Sequence, residues 1–332
     1  MKAALINETG PANVLQIGEF DDPVPGPAQV LVRVGAVAVN PIDTYIRSGT
    51  VALPLEYPYI PGCDLAGTVE ACGSDVERFQ VGDRVWGSNQ GLFGRQGSFA
   101  EKAAVDQDWL YHTPDALTDV DAAAGALVGI TAHLGLFLHA NLQPAEIVFV
   151  NGGSGGVGSS VIQLAKSTSA VVITTAGSEP NREYCRQIGA DLVLDYRSAA
   201  LEDTLRQFTE PRGGVNVWFE TQRQPTLDRS VAHMAQRGRL VLMAGRDARP
   251  EFPVGPFYVK DLRAVGFAMF NASADEQRAA ADAINRLAAD GLWKPKIGAV
   301  MPLSEVAAAH QLQEDNTLGQ QGTLAGKIVL EP

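Results

Sequence analysis

Residues 151–158 read Asn-Gly-Gly-Ser-Gly-Gly-Val-Gly, and this turn constrains the chain more than any other stretch. Gly153, Gly155 and Gly158 fit the spacing G-x-G-x-x-G. The apolar run Ile147-Val148-Phe149-Val150 precedes it as a strand, and residues 156–167 follow with helical spacing. That context gives the glycines a chemical reading. Gly153 permits a tight turn, Gly155 lets backbone approach a pyrophosphate, and Gly158 lets helix lie close on strand. Phosphates then meet free N–H groups at the positive end of the helix dipole. Gly153, Ser154, Gly155, Gly156, Val157 and Gly158 are therefore expected to bind a dinucleotide.

The rhythm around this turn predicts a parallel sheet with helices on both faces. Further strands are expected at 171–175, 192–194, 215–219 and 239–243, and a second helix at 181–188. The second strand ends Thr174-Thr175-Ala176-Gly177-Ser178, with no carboxylate at its tip. An NAD site commonly carries Asp or Glu there for the ribose hydroxyls. Ser178, Arg182, Tyr196 and Arg197 supply donors and positive charge instead, which suits a 2′-phosphate and favours NADPH.

Before residue 120 the texture is strand and turn. Strands are expected at 28–39, 66–72 and 84–86, and a glycine-rich loop at 87–97. A helix is expected over 119–140. Ser273-Ala274-Asp275-Glu276 is a capping-box sequence for a helix ending near Asp290, with Gly291 at its C-terminal turn. Ser304 is expected to cap another short helix, and 327–330 to close the chain as a strand.

Length and charge narrow the functions. The chain has 332 residues, enough for two domains at ~150 residues each. Lys and Arg number 26 against 38 Asp and Glu, a net charge of −12 that argues against nucleic acid as a partner. With no apolar run of ~18 residues, no membrane span is expected. The apolar stretch after Met1 is too short for a signal peptide, so a cytoplasmic protein is expected. Three cysteines, Cys63, Cys72 and Cys185, make no disulfide framework. No paired ligand motif occurs and the five histidines are scattered, so no metal site is expected. Cys63 beside Asp64 is a possible ligand pair; the alternative is a buried thiol after Pro61-Gly62.

A set of motifs then occurs in order. Asn40-Pro41-Ile42-Asp43-Thr44-Tyr45-Ile46-Arg47-Ser48-Gly49 is followed by Pro61-Gly62-Cys63-Asp64-Leu65-Ala66-Gly67 and Val81-Gly82-Asp83-Arg84-Val85. The glycine-rich turn comes next, and Ala325-Gly326-Lys327-Ile328-Val329-Leu330 last. Together they resemble the zinc-free, zeta-crystallin-like quinone oxidoreductases of the medium-chain dehydrogenase/reductase superfamily. The resemblance implies an α/β fold. A GroES-like, strand-rich catalytic domain (1–122 and 271–332) would hold an inserted, doubly wound Rossmann domain (123–270). It also implies NADPH, a quinone or conjugated carbonyl as acceptor, and a homodimer through the sheet edge around residues 257–270.

In the zinc-bearing relatives of that superfamily, a Cys ligand stands where Asn40 stands here, and His-Glu where Cys63-Asp64 stand. A further Cys ligand falls near 128–131, and the four-cysteine lobe for structural zinc is missing here. Without a Lewis acid, alcohol oxidation is disfavoured and hydride transfer to a conjugated acceptor is expected. The resemblance puts Asn40, Tyr45 and Thr131 near the nicotinamide and substrate, with Tyr45 as hydrogen-bond or proton donor and Tyr59 as a second candidate. It puts Ala244 and Gly245 along the nicotinamide pocket and residues 267–270 nearby. Lys327 resembles a position that approaches the cofactor, although the flanking 319–322 is looser than the usual family ending. Two alternatives share the cofactor: reduction of an enone, alkenal or enoyl double bond, and a non-catalytic, crystallin-like NADPH-binding protein.

Overall fold

The computed structural model describes residues 1–319 and 321–332. Gln320, one of the four residues of the loose 319–322 ending, lies outside the described residues. The chain divides into two compact units, 1–128 with 273–332, and 129–272. The expected cuts fell at 122 and 270. The first boundary lies at 128, and the helix Asp119–His133 contains both that position and 122, so the link between the units is helical.

The first unit is built on a seven-stranded sheet. In spatial order its strands are Ile297–Pro302, Lys327–Glu331, Gln29–Val39, Asp64–Cys72, Arg84–Gly87 and Leu110–His112, with Lys102–Asp106 also paired to Gln29–Val39. Alternation drives the central strand, since Val30, Val32 and Val34 are all buried. The C-terminal strand lies antiparallel on it with Ile328 opposite Val39. That register carries Lys327 to the end of the strand that leads into Asn40. A short helix, Pro41–Arg47, follows, with Pro41 in the first turn where its missing N–H costs nothing. Its Arg47 side chain is fully buried and pairs with the Glu314 carboxylate. The capping box at Ser273 forms as expected: Glu276 N–H donates to Ser273 Oγ, and Ser273 N–H donates to Glu276 Oε2 at 2.8 Å. Ser304 does not cap a helix. It lies inside a 3₁₀ turn, Leu303–Glu305, that leads directly into the helix Val306–Thr317, because Pro302 already starts the turn.

The second unit is a six-stranded, all-parallel sheet. Its strands in chain order are β1 (Ile147–Asn151), β2 (Val171–Thr175), β3 (Leu192–Leu194), β4 (Val215–Glu220), β5 (Met234–Leu242) and β6 (Arg263–Gly266). Their spatial order is β3-β2-β1-β4-β5-β6. This order reverses between β1 and β4, and such a switch point is where open α/β sheets bind ligands. Helix α1 (Gly156–Lys166) follows β1, and α2 (Glu179–Gln187) follows β2. Phe149 stacks on Trp218 at 3.9 Å between ring centroids, inside a core that includes Ile173, Leu205 and Leu240. β5 begins five residues earlier than its sequence suggests, because a register shift near Val215 and a positive φ at Arg237 interrupt its alternation.

The expected helix over 119–140 is α-helical to His133 and continues as a π-helix over Leu134–His139. Contrary to the sequence reading, Asp119–His139 is long and apolar enough to cross a bilayer by length and composition. Of its most apolar window, 78% is buried inside the protein, as in a core helix.

Candidate active site

The glycine-rich turn sits at the carboxyl end of β1, at the switch point. Gly152 has φ +89°, a left-handed conformation that glycine adopts freely. Gly153 N–H donates to the Thr175 carbonyl at 3.1 Å, tying the turn to β2. Gly158 packs so closely that a Cβ there would lie 2.2 Å from the Gly152 carbonyl oxygen. Gly155 is different. It is exposed, its φ and ψ of −77° and 170° suit any residue, and a Cβ there would meet only the Gly152 oxygen, at 3.5 Å. The fold therefore does not require glycine at 155. Gly155 is also the N-cap of α1, whose first-turn N–H groups have no intrahelical partner.

Sequence reasoning missed a polar network that pins this turn. Asn151 ends β1 and Glu220 ends the adjacent β4. The Asn151 amide donates to both Glu220 oxygens, at 3.0 and 3.1 Å. Trp218 Nε1 and the Gln222 N–H donate to the same carboxylate. Thr175 Oγ1 donates to Asn151 Oδ1 and accepts from Gly152 N–H, both at 3.0 Å. Burial raises the Glu220 pKa, and these donors oppose that rise. The only sequence signal was a carboxylate at the end of an apolar strand, which reads equally well as a solvated charge.

Ser178 caps α2, accepting the Asn181 N–H. Arg182 is held by carboxylates on two sides, Glu179 at 2.7 Å and Asp195 at 2.8 Å. Arg197 differs. Its guanidinium lies 5.1 Å from the centre of the Tyr196 ring and donates to the Tyr196 hydroxyl at 3.1 Å. Among the described residues no carboxylate pairs with that guanidinium. Tyr196 itself packs against Gly177, where any side chain would strike the ring. Ala244 and Gly245 follow β5 at the same end of the sheet, and Gly245 has φ +83°. Thr131 lies in this unit and is buried, on the helix that precedes β1.

The first unit gathers a second polar cluster. Asn40 and Asp64 are fully buried, and Lys327 is 5% exposed. Lys327 Nζ donates to the Val39 carbonyl at 2.8 Å and to Asn40 Oδ1. Asn40 Nδ2 donates to Asp64 Oδ2 at 2.8 Å, and Ser88 Oγ to Asp64 Oδ1 at 2.7 Å. Asp43 accepts the Asn40 N–H at 2.8 Å, and its carboxyl faces the Cys63 thiol. Burial pushes Asp43 up to about 7; Cys63 holds it back, and neighbouring Asp64 pushes it further. Burial drives the Lys327 pKa down, opposed by Asp64 and Asp43.

Tyr59 is buried and its hydroxyl donates to the Gly91 carbonyl at 2.6 Å. Burial raises its pKa, with Cys63 adding to the rise, so the proton is firmly held. Tyr45 is half-buried on the Pro41–Arg47 helix.

The two units and their polar clusters define a medium-chain dehydrogenase/reductase. Residues 26–115 match the alcohol dehydrogenase GroES-like domain, and residues 156–286 the zinc-binding dehydrogenase family. Human quinone oxidoreductase is 31% identical over 334 aligned positions, covering 99% of this chain and 97% of the relative. Two solved structures each cover all of this chain and are covered fully by it. A NAD-dependent alcohol dehydrogenase superposes with a TM-score of 0.89 at 28% identity. The Escherichia coli quinone oxidoreductase complexed with NADPH gives 0.85 at 26%. The chain belongs to the quinone oxidoreductase family of that superfamily.

One matched family description names zinc, so the donor set matters. Among the described residues no group of three His, Cys, Asp or Glu side chains is placed to hold a metal ion. At Asn40 the nearest cationic group is the Lys327 ammonium itself. These residues do not fit a zinc ion.

Proposed function

We propose that this chain is a zinc-independent, NADPH-dependent oxidoreductase that reduces quinones by hydride transfer in the cytoplasm. Gly155 carries the reading. The fold leaves its Cβ position open, so its glycine identity answers to a group arriving from outside. At a helix N-terminus on a topological switch point, that group is a pyrophosphate. NADPH, once bound, supplies a hydride from its nicotinamide.

The chain's own residues then have separate tasks. The N–H groups after Gly155 take the pyrophosphate, while Asn151 and Glu220 hold the turn in shape. Ser178, Tyr196 and Arg197 take the 2′-phosphate, with Arg197 the charge not already neutralised. Arg182 backs them from its two carboxylates. Tyr45, by family resemblance, donates the proton that a quinone needs along with the hydride. Tyr59 is less suited, since its hydroxyl is spent on Gly91. The NADPH complex of the Escherichia coli relative supports the cofactor choice. The free thiols of Cys63, Cys72 and Cys185 suit a reducing compartment.

Steady-state assays with quinones and enones, using protein stripped of metal by chelator, test this reading. We expect turnover of quinones with kcat/KM higher for NADPH than for NADH. Arg197→Ala should raise KM for NADPH about tenfold or more, as loss of a charge-assisted bond worth ~1.5–3 kcal/mol implies, and leave NADH nearly unchanged. A preference for NADH, or activity that needs added zinc, overturns the proposal.

A homodimer is proposed through the edge strand β6 and the helix Val254–Val259 before it. Val254, Tyr258 and Val259 are each more than 60% exposed there. Light scattering that returns the mass of one chain at micromolar concentration would remove it.

A further inference from the structure

Lys327 is nearly inaccessible, yet its side chain ends in a group that water normally stabilises. Its placement is tightly specified. Gly326 before it has φ +116°, and a Cβ there would lie 2.6 Å from the Lys296 carbonyl oxygen. The backbone N–H of Lys327 donates to that same carbonyl at 2.8 Å. From this fixed start the side chain reaches Val39 and Asn40.

The groups beyond it form a line. The ammonium donates to the Asn40 oxygen, the Asn40 nitrogen donates to Asp64, and Ser88 donates to the far Asp64 oxygen. Asp43 takes the Asn40 backbone N–H. An amide thus stands between a buried cation and a buried carboxylate, with each end matched to its neighbour's polarity. Burying either charge alone costs several kcal/mol, and removing one partner leaves the other uncompensated. Buried charges are balanced either by a paired side chain or by a coordinated metal ion. Among the described residues no group of three His, Cys, Asp or Glu side chains converges to hold a metal ion, and the chain carries its own cation.

We propose that Lys327 is the resident cation of this polar core, balancing Asp64 and Asp43 and clamping the orientation of the Asn40 amide. This extends the zinc-independent reading above, and the two can fail separately. Stoichiometric zinc retained by the wild-type protein after dialysis would overturn zinc independence whatever Lys327 does.

The test is a double-mutant cycle on the full chain, read by denaturant unfolding, with chemical rescue beside it. Lys327→Met and Asp64→Asn should each lower the unfolding midpoint sharply. The double variant should recover part of the loss, because the cation and Asp64 leave together and only Asp43 remains. Simple additivity, with the double variant as poor as the sum of the two, overturns the proposal. Lys327→Ala, refolded in ethylammonium chloride, should regain its midpoint relative to sodium chloride at equal ionic strength. Ethanol and zinc chloride should give no such gain, and the wild type should not respond. An equal response of wild type and Lys327→Ala, or rescue by ethanol, shows that the cavity needs volume rather than charge and also overturns it. A Lys327→Ala chain that folds only with ethylammonium supports it.

Discussion

Gly155→Val should leave the fold nearly intact and weaken NADPH binding roughly a hundredfold or more. The backbone at 155 already has dihedrals that valine adopts, and its Cβ meets no backbone closer than 3.5 Å. The cost to stability is the loss of a favourable N-cap residue, about 1 kcal/mol. The cost to binding is larger. The added methyl groups stand where a pyrophosphate must approach, and two charge-assisted bonds from N–H groups are worth ~1.5–3 kcal/mol each. Gly158→Val gives the contrasting result. Its Cβ would overlap the Gly152 oxygen at 2.2 Å and crowd the Gly153 Cα at 2.9 Å, so the helix must move off the turn. That variant should lose stability before binding is even measured, by ~1–3 kcal/mol as overpacking costs. Calorimetric titration with NADPH and thermal unfolding of both variants separate the two. The reading of Gly155 fails if Gly155→Val binds NADPH as tightly as the wild type.

What the sequence made visible was local. The glycine spacing, the capping box at Ser273 and the alternation of Val30, Val32 and Val34 all lie within a few residues, where backbone geometry dictates the pattern. The partners that complete the site lie far apart in the chain. Lys327 and Asn40 are 287 residues apart, Arg47 and Glu314 are 267 apart, and Asn151 and Glu220 are 69 apart. No periodicity links such pairs; only strand order and register bring them together. Arg182 shows a different gap. Its charge is plain in the sequence, but Glu179 lies one helical turn before it and Asp195 directly follows β3, and together they occupy the guanidinium. Ser304 has a good cap residue's chemistry, yet Pro302 fixes φ two positions earlier and starts the turn without it. In each case a residue's type was legible while its partner was set by tertiary structure.

His310 should make the protein acid-labile, and His310→Phe should remove much of that lability. The ring is fully buried on the helix Val306–Thr317, edge-on to Phe99 at 5.7 Å between centroids. Among the described residues neither ring nitrogen has a hydrogen-bond partner. Burial pushes its pKa down to about 3 from 6.5, and the nearby Arg47 guanidinium adds to the effect. The folded state thus binds this proton more weakly than the unfolded chain does. The associated stability is whole above pH 6.5 and is lost as pH falls from 6.5 toward 3. At ~1.4 kcal/mol per pH unit, acidification to pH 4 removes about 3 kcal/mol through this one residue. That is a large part of a typical folding stability of ~5–15 kcal/mol. Phenylalanine has a similar shape and no proton to take up, and no hydrogen bond is lost by the exchange, so stability at pH 7 should change little. Urea unfolding of both proteins at pH 7, 5 and 4 measures the difference. Equal losses for wild type and His310→Phe between pH 7 and 4 would show that acid unfolding runs through other groups. A smaller loss in the variant assigns it to His310.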